Sequence, residues 1–265
     1  LTAAIPVLSV MGIQACPMPT AVLTSQTGFK SFYCNDCTDK LDYYTSEWKK
    51  LGFQPDGIYT GFLSSEKQVD KILDFINSFE TENTLVLVDP VMGDGGRTYS
   101  LFTDTLACKM KKLVTVADVI TPNLTECCIL CDVDYCEFIK NADKPDFLDK
   151  IAELGKNLLN RYGVKIVIIT GIEHKDIDGT MYVQNLIASK DEVFSVSCKK
   201  IGGSYSGTGD LFASVMFSGL LRGDTLRDTV SLAVKFIETS LRDTIALGID
   251  RNEGIEFEKH LKILL

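Results

Sequence analysis

The chain has 265 residues, of which 45% are hydrophobic and 24% charged, so it can bury a sizeable core without a metal or disulfide staple. Its formal net charge of −9 speaks against a nucleic-acid partner, because binding to a phosphate backbone needs a basic surface. No apolar run approaches the ~18 residues of a membrane span and no signal peptide is visible, so we expect no membrane partner and a cytoplasmic location.

The nine cysteines are scattered through apolar segments, which favours reduced thiols in the core over a disulfide framework. Cys34 and Cys37 form a lone CxxC pair. A zinc site would need two further ligands, and the only histidines are His174 and His260. A metal or redox role for this pair is therefore the less favoured interpretation.

Short apolar runs alternate with segments of helical period along the chain, beginning with a predicted helix at 1–10. This alternation predicts one α/β domain over 1–265 with a doubly wound, mostly parallel sheet. Because the chain opens without methionine inside a predicted helix, we expect a preceding segment. The predicted strands are 57–62, 85–89, 116–121 and 165–170, and the later predicted helices are 64–79, 101–113, 146–162, 211–221 and 226–247.

Two stretches break the alternation. Segments 180–185 and 192–198 alternate apolar and polar residues around a polar turn, which predicts an antiparallel hairpin at one edge of the sheet. Segment 29–44 is polar and aromatic without a clean period, so we expect a loop or a flap over a site.

In an open parallel sheet, ligands bind beyond the carboxyl ends of the strands. The predicted strand 85–89 ends at Asp89, and Asp94 follows in a glycine-rich turn. Carboxylate oxygens suit Mg²⁺, which usually arrives with phosphates. A solvated turn that uses Asp and Gly for its backbone geometry explains the same residues equally well.

The next strand is followed by Thr121, Asn123 and Glu126. Asn at an N-cap with Glu three residues later is a variant of the capping box, so structure alone could require this pair. A nucleotide or metal site is the alternative. Thr170 ends the predicted strand 165–170 and Gly171 follows it; this pair is a weak signal, since any strand can end in such a turn.

The strongest local signal is segment 203–210, where small residues run directly into an apolar helix. Free backbone N–H groups at that helix start would form an anion hole, and glycines let a phosphate approach closely. Asp210 would lie in the first helical turn. The alternative is an Asp that only stabilises the helix N-terminus.

Several chemistries are unsupported. The chain has no GxxxxGK[ST] motif of Walker-type NTPases, no GxGxxG dinucleotide fingerprint after a strand and no GxSxG nucleophile elbow.

Taken together, these motifs resemble the ribokinase-like superfamily and, within it, the pyridoxal/pyridoxamine kinases, along nearly the whole chain. The resemblance implies a three-layer α/β/α sandwich with a mostly parallel central sheet and an antiparallel edge hairpin. The motifs that carry it are Pro19-Thr20-Ala21-Val22 with Thr27-Gly28-Phe29, Tyr59-Thr60-Gly61, Asp89-Pro90-Val91-Met92-Gly93-Asp94 with Tyr99, Thr121-Pro122-Asn123 with Glu126, and Gly207-Thr208-Gly209-Asp210.

The resemblance also implies roles. Asp210 would take the proton from the substrate 5′-hydroxymethyl group, and a hole lined by Gly207, Thr208 and Gly209 would hold the γ-phosphate. The remaining implied roles are Mg²⁺ binding by Asp89, Asp94 and Glu126, contacts to ATP by Asp89, Thr121, Asn123, Thr170, Gly171 and Tyr99, and a place near the pyridine ring for Thr20.

The implied reaction is ATP-dependent phosphorylation of a B6 vitamer by a homodimer, with Mg²⁺ and room for a monovalent cation. Members of the family begin with a strand and a Gly/Ser-bearing turn that contacts the pyridine, and neither is present in this sequence. The alternatives are a hydroxymethylpyrimidine kinase and a non-catalytic nucleotide-binding protein.

Overall fold

The structure is a computed structural model that describes residues 1–100, 102–142 and 144–265. Its internal contacts divide the chain into two compact units. We call Thr38–Lys199 the sheet unit, and Leu1–Cys37 together with Lys200–Leu265 the helical unit. Among the described residues, no helix is both long enough and apolar enough to cross a membrane.

Strands and helices are labelled in chain order. The strands are β1 (Ala21–Leu23), β2 (Cys34–Asp36), β3 (Gly57–Thr60), β4 (Leu85–Val88), β5 (Gly93–Asp94), β6 (Arg97–Thr98), β7 (Val119–Ile120), β8 (Ile166–Lys175), β9 (Met181–Ser189) and β10 (Val193–Lys199). The α helices are α1 (Ala4–Val10), α2 (Leu41–Lys50), α3 (Glu66–Phe79), α4 (Asp104–Val114), α5 (Leu124–Cys131), α6 (Tyr135–Ile139), α7 (Phe147–Tyr162), α8 (Thr208–Arg222) and α9 (Leu226–Ala246), with 3-10 turns at Thr38–Lys40 and Glu258–Leu264.

The sheet unit is built on a six-stranded sheet of order β10-β9-β8-β7-β4-β3. Strands β3, β4, β7 and β8 pair in parallel, whereas β8, β9 and β10 pair antiparallel. The mostly parallel sheet and its antiparallel edge hairpin, both predicted from the sequence, are therefore confirmed.

The parallel strands form where the sequence is continuously apolar. In β4, Val86, Leu87 and Val88 are fully buried, as expected of a strand covered on both faces. Because the carboxyl ends of parallel strands meet at one edge, the residues that follow β3, β4 and β7 share a rim. The first residue of the predicted helix 101–113 lies outside the described residues, and α4 begins at Asp104.

One strand continues beyond its predicted end. Strand β8 runs to Lys175, and its register against β9 shifts between Ile169 and Ile172. Gly171 lies inside this bulge with φ +68°, a conformation that glycine adopts readily. The turn expected after residue 170 is thus a bulge within a longer strand.

Segment 29–44 is more regular than the expected loop. It contains β2, which pairs antiparallel with β1, then the 3-10 turn Thr38–Lys40 and the start of α2. Helix α2 is not predicted by hydrophobic periodicity, because Leu41 is its only buried residue and the helix therefore has no broad apolar stripe.

The helical unit is organised around α8, which packs against α1 and α9. Residues 211–219 of this helix are all buried, which explains its nearly continuous apolar sequence. A Cβ on Gly219 would lie 2.4 Å from Thr229 Cγ2, so glycine lets α8 and α9 approach closely.

Candidate active site

The rim of the sheet unit carries a buried acidic residue directly after β4. Asp89 is 8% exposed, and its backbone N–H donates to the carbonyl of Thr60, 2.9 Å away. The hydroxyl of Thr121, which follows β7, donates to Asp89 Oδ1 at 3.1 Å. Adjacent strand ends therefore bring Asp89 and Thr121 together.

Glu126 is a second buried carboxylate at this rim, only 4% exposed. Asn123 Oδ1 accepts from Glu126 N at 3.0 Å, and Glu126 Oε2 accepts from Asn123 N at 2.8 Å, so the predicted capping box is confirmed. Glu126 Oε1 also accepts from Met92 N at 3.0 Å. This carboxylate thus joins the start of α5 to the turn after β4, which a local motif could not reveal.

The two carboxylates influence each other electrostatically. Burial, followed by the charge of Asp89, raises the pKa of Glu126 well above its ordinary range, against the effect of the backbone N–H groups that it accepts from. Two like charges in a buried rim are unfavourable unless a cation or a proton compensates them.

These residues fit the magnesium ion that the resemblance implies. Among the described residues, no group of three or more His, Cys, Asp or Glu side chains could hold a metal ion alone. Mg²⁺ is commonly bound by one or two carboxylates together with substrate phosphates and waters. Asp89 and Glu126 supply such an incomplete oxygen set.

Asp94 lies nearby on a small antiparallel hairpin formed by β5 and β6, which we call the 93–98 hairpin. The side-chain amide of Asn123 donates to Gly93 O at 2.7 Å, and Gly96 N donates to Thr125 Oγ1 at 2.9 Å. The first residues of α5 therefore hold this hairpin against the rim. Asp94 itself is exposed.

Three other residues of the predicted nucleotide site lie in the sheet unit. Thr170 N donates to Pro122 O at 2.9 Å, and Thr170 forms an isolated parallel bridge with Asn123. Gly171 N donates to Asn185 Oδ1 at 3.2 Å. Tyr99, 41% exposed, is tied to the turn after β4 because its N–H donates to Met92 O at 3.0 Å.

The helical unit contains the glycine-rich helix start. Gly207 is the N-cap of α8 with φ +84° and offers no capping side chain, while the Thr208 hydroxyl donates to Tyr205 O at 3.1 Å. The first-turn N–H groups of an α helix have no intrahelical acceptor, so they can bind an anion.

Asp210 lies in this first turn of α8. Its side chain is exposed, yet the protein around it partly desolvates the carboxyl and raises the pKa of Asp210 above its ordinary value. Thr20 precedes β1, and its carbonyl accepts from Cys37 N at 2.9 Å.

Two buried polar atoms have no hydrogen-bond partner in the described part of the chain: Thr60 Oγ1 and His174 Nδ1. Thr60 is the last residue of β3, at the same rim as Asp89. The sequence motifs predict no role for Thr60, although this residue belongs to one of the motifs that carry the family resemblance. Its position at a strand end was the available signal.

The comparison with known proteins decides the family, because residues 2–254 match the model of phosphomethylpyrimidine kinase. The chain belongs to this family. A Schizosaccharomyces pombe protein assigned as a pyridoxal kinase is 30% identical over 208 residues, which are 76% of this chain and 57% of that protein. The hydroxymethylpyrimidine/phosphomethylpyrimidine kinase of Staphylococcus aureus is 27% identical over 198 residues, 74% of this chain and 66% of that enzyme. The chain thus spans less than two thirds of either relative.

Solved structures of family members resemble the chain over its whole length. A Bacteroides thetaiotaomicron protein assigned as a phosphomethylpyrimidine kinase and crystallised with pyridoxal has a TM-score of 0.91 and 38% identity, covering 100% of this chain and 90% of its own. Pyridoxal kinase from Lactobacillus plantarum has a TM-score of 0.85 and 25% identity, with coverages of 100% and 90%. The ribokinase-like fold and the resemblance to pyridoxal kinases are confirmed.

Proposed function

We propose that this chain is an ATP-dependent kinase that phosphorylates the 5′-hydroxymethyl group of pyridoxal, pyridoxamine or pyridoxine. The observation that carries the substrate class is the pyridoxal complex of the Bacteroides protein, which is 38% identical over the full chain. The buried carboxylates of the sheet unit and the glycine-rich start of α8 support phosphoryl transfer, which depends on positioning and charge stabilisation.

Asp210 is the proposed catalytic base. An Asp with an ordinary pKa of ~3.9 is a weak base toward an alcohol, but it can accept a proton that leaves late, as the new P–O bond forms. Its raised pKa makes it a somewhat stronger base. In this proposal, the N–H groups of Gly207, Thr208 and Gly209 hold the transferred γ-phosphoryl group.

Asp89, Glu126 and Asp94 are the proposed residues for Mg²⁺, which when bound would neutralise charge on the ATP phosphates. Both oxygens of Glu126 already accept backbone N–H groups, so we propose that Glu126 acts through water or through its charge. Removal of the ion with excess chelator is expected to abolish turnover. Full activity in chelator would contradict the metal role.

The proposed contacts to ATP come mainly from the end of β7 and from the bulge within β8. Asn123 Oδ1 accepts a hydrogen bond from Glu126 N, and Asn123 Nδ2 donates one to Gly93 O. One amide hydrogen and one oxygen lone pair of Asn123 therefore remain for contacts to a nucleotide. The other proposed residues are Thr121, Thr170 and Gly171 for phosphates or ribose, Tyr99 for the nucleotide, and Thr20 for the pyridine ring.

A second candidate is phosphorylation of hydroxymethylpyrimidine, which the family match and the Staphylococcus aureus relative favour. Both acceptors present a primary alcohol on a six-membered aromatic ring, so the same residues serve either reaction. A homodimer, a cytoplasmic location and a monovalent cation stay predictions from the resemblance.

A coupled assay of ATP consumption across acceptors separates the candidates. The purified protein is tested with pyridoxal, pyridoxamine, pyridoxine, hydroxymethylpyrimidine and a simple sugar, and products are identified by mass. We expect the highest kcat/KM for a B6 vitamer. A higher value for hydroxymethylpyrimidine selects the second candidate, and nucleotide binding without any phosphorylation indicates a non-catalytic protein.

A further inference from the structure

The 93–98 hairpin turns at Gly95 and Gly96, whose φ angles are +57° and +76°. Two successive residues with positive φ are typical of a type I′ turn, which aligns the two short strands of a tight hairpin. Asp94 and Arg97 therefore face each other across the turn. The position of Asp94 depends on how this turn is held.

An aromatic ring supports the turn from α6. A Cβ on Gly96 would lie 2.4 Å from Tyr135 Cδ1 and 2.7 Å from Cε1, so the backbone of Gly96 rests directly on the ring. No side chain fits between them. Gly96 is thus required both by its positive φ and by this contact.

Tyr135 is the first residue of α6, and the preceding Asp134 caps this helix by accepting from Glu137 N at 2.8 Å. Burial and then the charge of Asp94 raise the pKa of Tyr135. The hairpin is therefore held at three points: Gly93 by Asn123, the N–H of Gly96 by Thr125, and the underside of the turn by Tyr135.

We propose that Tyr135 is a positioning residue, whose ring fixes the 93–98 hairpin so that Asp94 is presented to the magnesium–nucleotide complex. This inference rests on the proposed function, since Asp94 has its role only there. The two hydrogen bonds from α5 remain when the ring is removed, so the hairpin keeps its place in the sheet unit. What is lost is the fixed direction of Asp94.

Tyr135→Ala is therefore expected to raise the Mg²⁺ concentration for half-maximal activity ~10-fold, the usual effect of removing support behind a metal-binding side chain. The KM of the alcohol acceptor is expected to stay within about 2-fold, because the acceptor does not touch this hairpin in the proposal. Tyr135→Phe keeps the ring and is expected to stay within about 2-fold of the wild type in both quantities.

A double-mutant cycle with Gly96→Ala tests the contact itself. The added methyl group clashes with the ring in Gly96→Ala and strains the turn. In the double variant Tyr135→Ala/Gly96→Ala the clash is absent, so its effect is expected to be smaller than the sum of the single effects. Additive effects would show that the ring and the turn act independently and would overturn the proposal.

Hydrogen exchange supplies a readout that does not need kinase activity. Amides of the 93–98 hairpin are expected to exchange ~10-fold faster in Tyr135→Ala than in the wild type, and at the wild-type rate in Tyr135→Phe. Unchanged exchange in Tyr135→Ala overturns the positioning role. If the wild type phosphorylates no acceptor while exchange responds as expected, the proposed function fails and the support of the hairpin by Tyr135 stands.

Discussion

At the residue scale, Asp89 and Glu126 are two acidic side chains that fold into one buried rim. Each costs desolvation energy, and each makes the ionised form of the other less favourable. A core selected for stability alone would avoid such a pair. Rules of local structure are most often broken at functional sites, which is why the pair supports a cation-dependent reaction.

The first prediction concerns Asp89→Asn. Removing one of two buried like charges is expected to leave the Tm without Mg²⁺ unchanged or higher, because the pKa of Glu126 can then move back toward its ordinary value. Turnover is expected to fall at least ~10-fold. Thermal unfolding and the coupled assay measure the two effects.

Asp94→Asn is the matched control, because it removes an exposed carboxylate and should lower turnover without raising the Tm. A Tm several degrees lower in Asp89→Asn than in the wild type would contradict the repulsion between the carboxylates of Asp89 and Glu126.

The second prediction compares two buried threonines at the same rim. The hydroxyl of Thr60 has no hydrogen-bond partner among the residues that the structure describes, so Thr60→Val is expected to leave the free energy of unfolding unchanged or to raise it by about 1 kcal/mol. Thr121→Val removes a hydroxyl that donates to Asp89, and is expected to lower that free energy by about 1.5–3 kcal/mol. Urea unfolding of both variants and of the wild type measures these free energies of unfolding. Equal losses would show that Thr60 has a partner, such as a buried water.

At the element scale, the sequence predicts best where periodicity is strong. The strands β4 and β8 begin with continuous apolar runs, the helices α3, α7 and α9 each bury one face, and α8 is apolar and buried over residues 211–219. All six begin within three residues of their predicted starts. Helix α2 was missed because it buries almost nothing, and the extension of β8 was missed because a glycine bulge resembles a turn. The spacing of Asn123 and Glu126 in the sequence is enough to predict the capping box. The hydrogen bond from Met92 N to Glu126 and the contact of Gly96 with Tyr135 join segments far apart in the chain, so no local sequence pattern predicts them.

Asp132 shows a further element-scale feature, at the C-terminus of α5. It has φ +58°, and its carboxylate pairs with Lys111 of α4 and with Arg161 of α7. These hydrogen bonds, that of Lys111 first, lower the pKa of Asp132. One exposed side chain therefore connects the ends of three helices.

The third prediction is a pH-dependent effect of Asp132→Asn. Asn tolerates positive φ, so the change removes the ion pairs and keeps the backbone. Because the folded-state pKa is lowered, the pairs contribute stability above the ordinary Asp pKa of ~3.9 and lose it as pH falls through the lowered value. The free energy of unfolding is expected to fall by about 0.5–1 kcal/mol at neutral pH, with the difference shrinking toward about pH 3.

Urea unfolding at both pH values measures this effect. Asp146→Asn is the control, since its single ion pair with Lys150 lies within one helix and should matter less. A loss that does not change with pH would contradict the ion-pair explanation.

At the scale of the whole molecule, the family match spans residues of both units. Alternating strands and helices predict an α/β fold with a mostly parallel sheet, and the resemblance of the motifs implies its ribokinase-like form. Substrate choice was less predictable, because a B6 vitamer and a hydroxymethylpyrimidine offer the same reacting group. Because the net charge is −9, binding of an anionic nucleotide depends on local positive sites. The first turn of α8 can be such a site without a basic side chain, since its free backbone N–H groups attract anions. Whether 1–265 behaves as a single domain stays a prediction.

The most direct test of the proposed reaction is the phosphorylation of pyridoxal by the wild type and by Asp210→Asn, with Mg²⁺ and ATP and with nucleotide binding measured in parallel. We expect pyridoxal 5′-phosphate as the product of the wild type. In Asp210→Asn we expect turnover at least ~100-fold lower with nearly unchanged nucleotide affinity. No phosphorylated pyridoxal from the wild type, or near-normal turnover in Asp210→Asn, would contradict it.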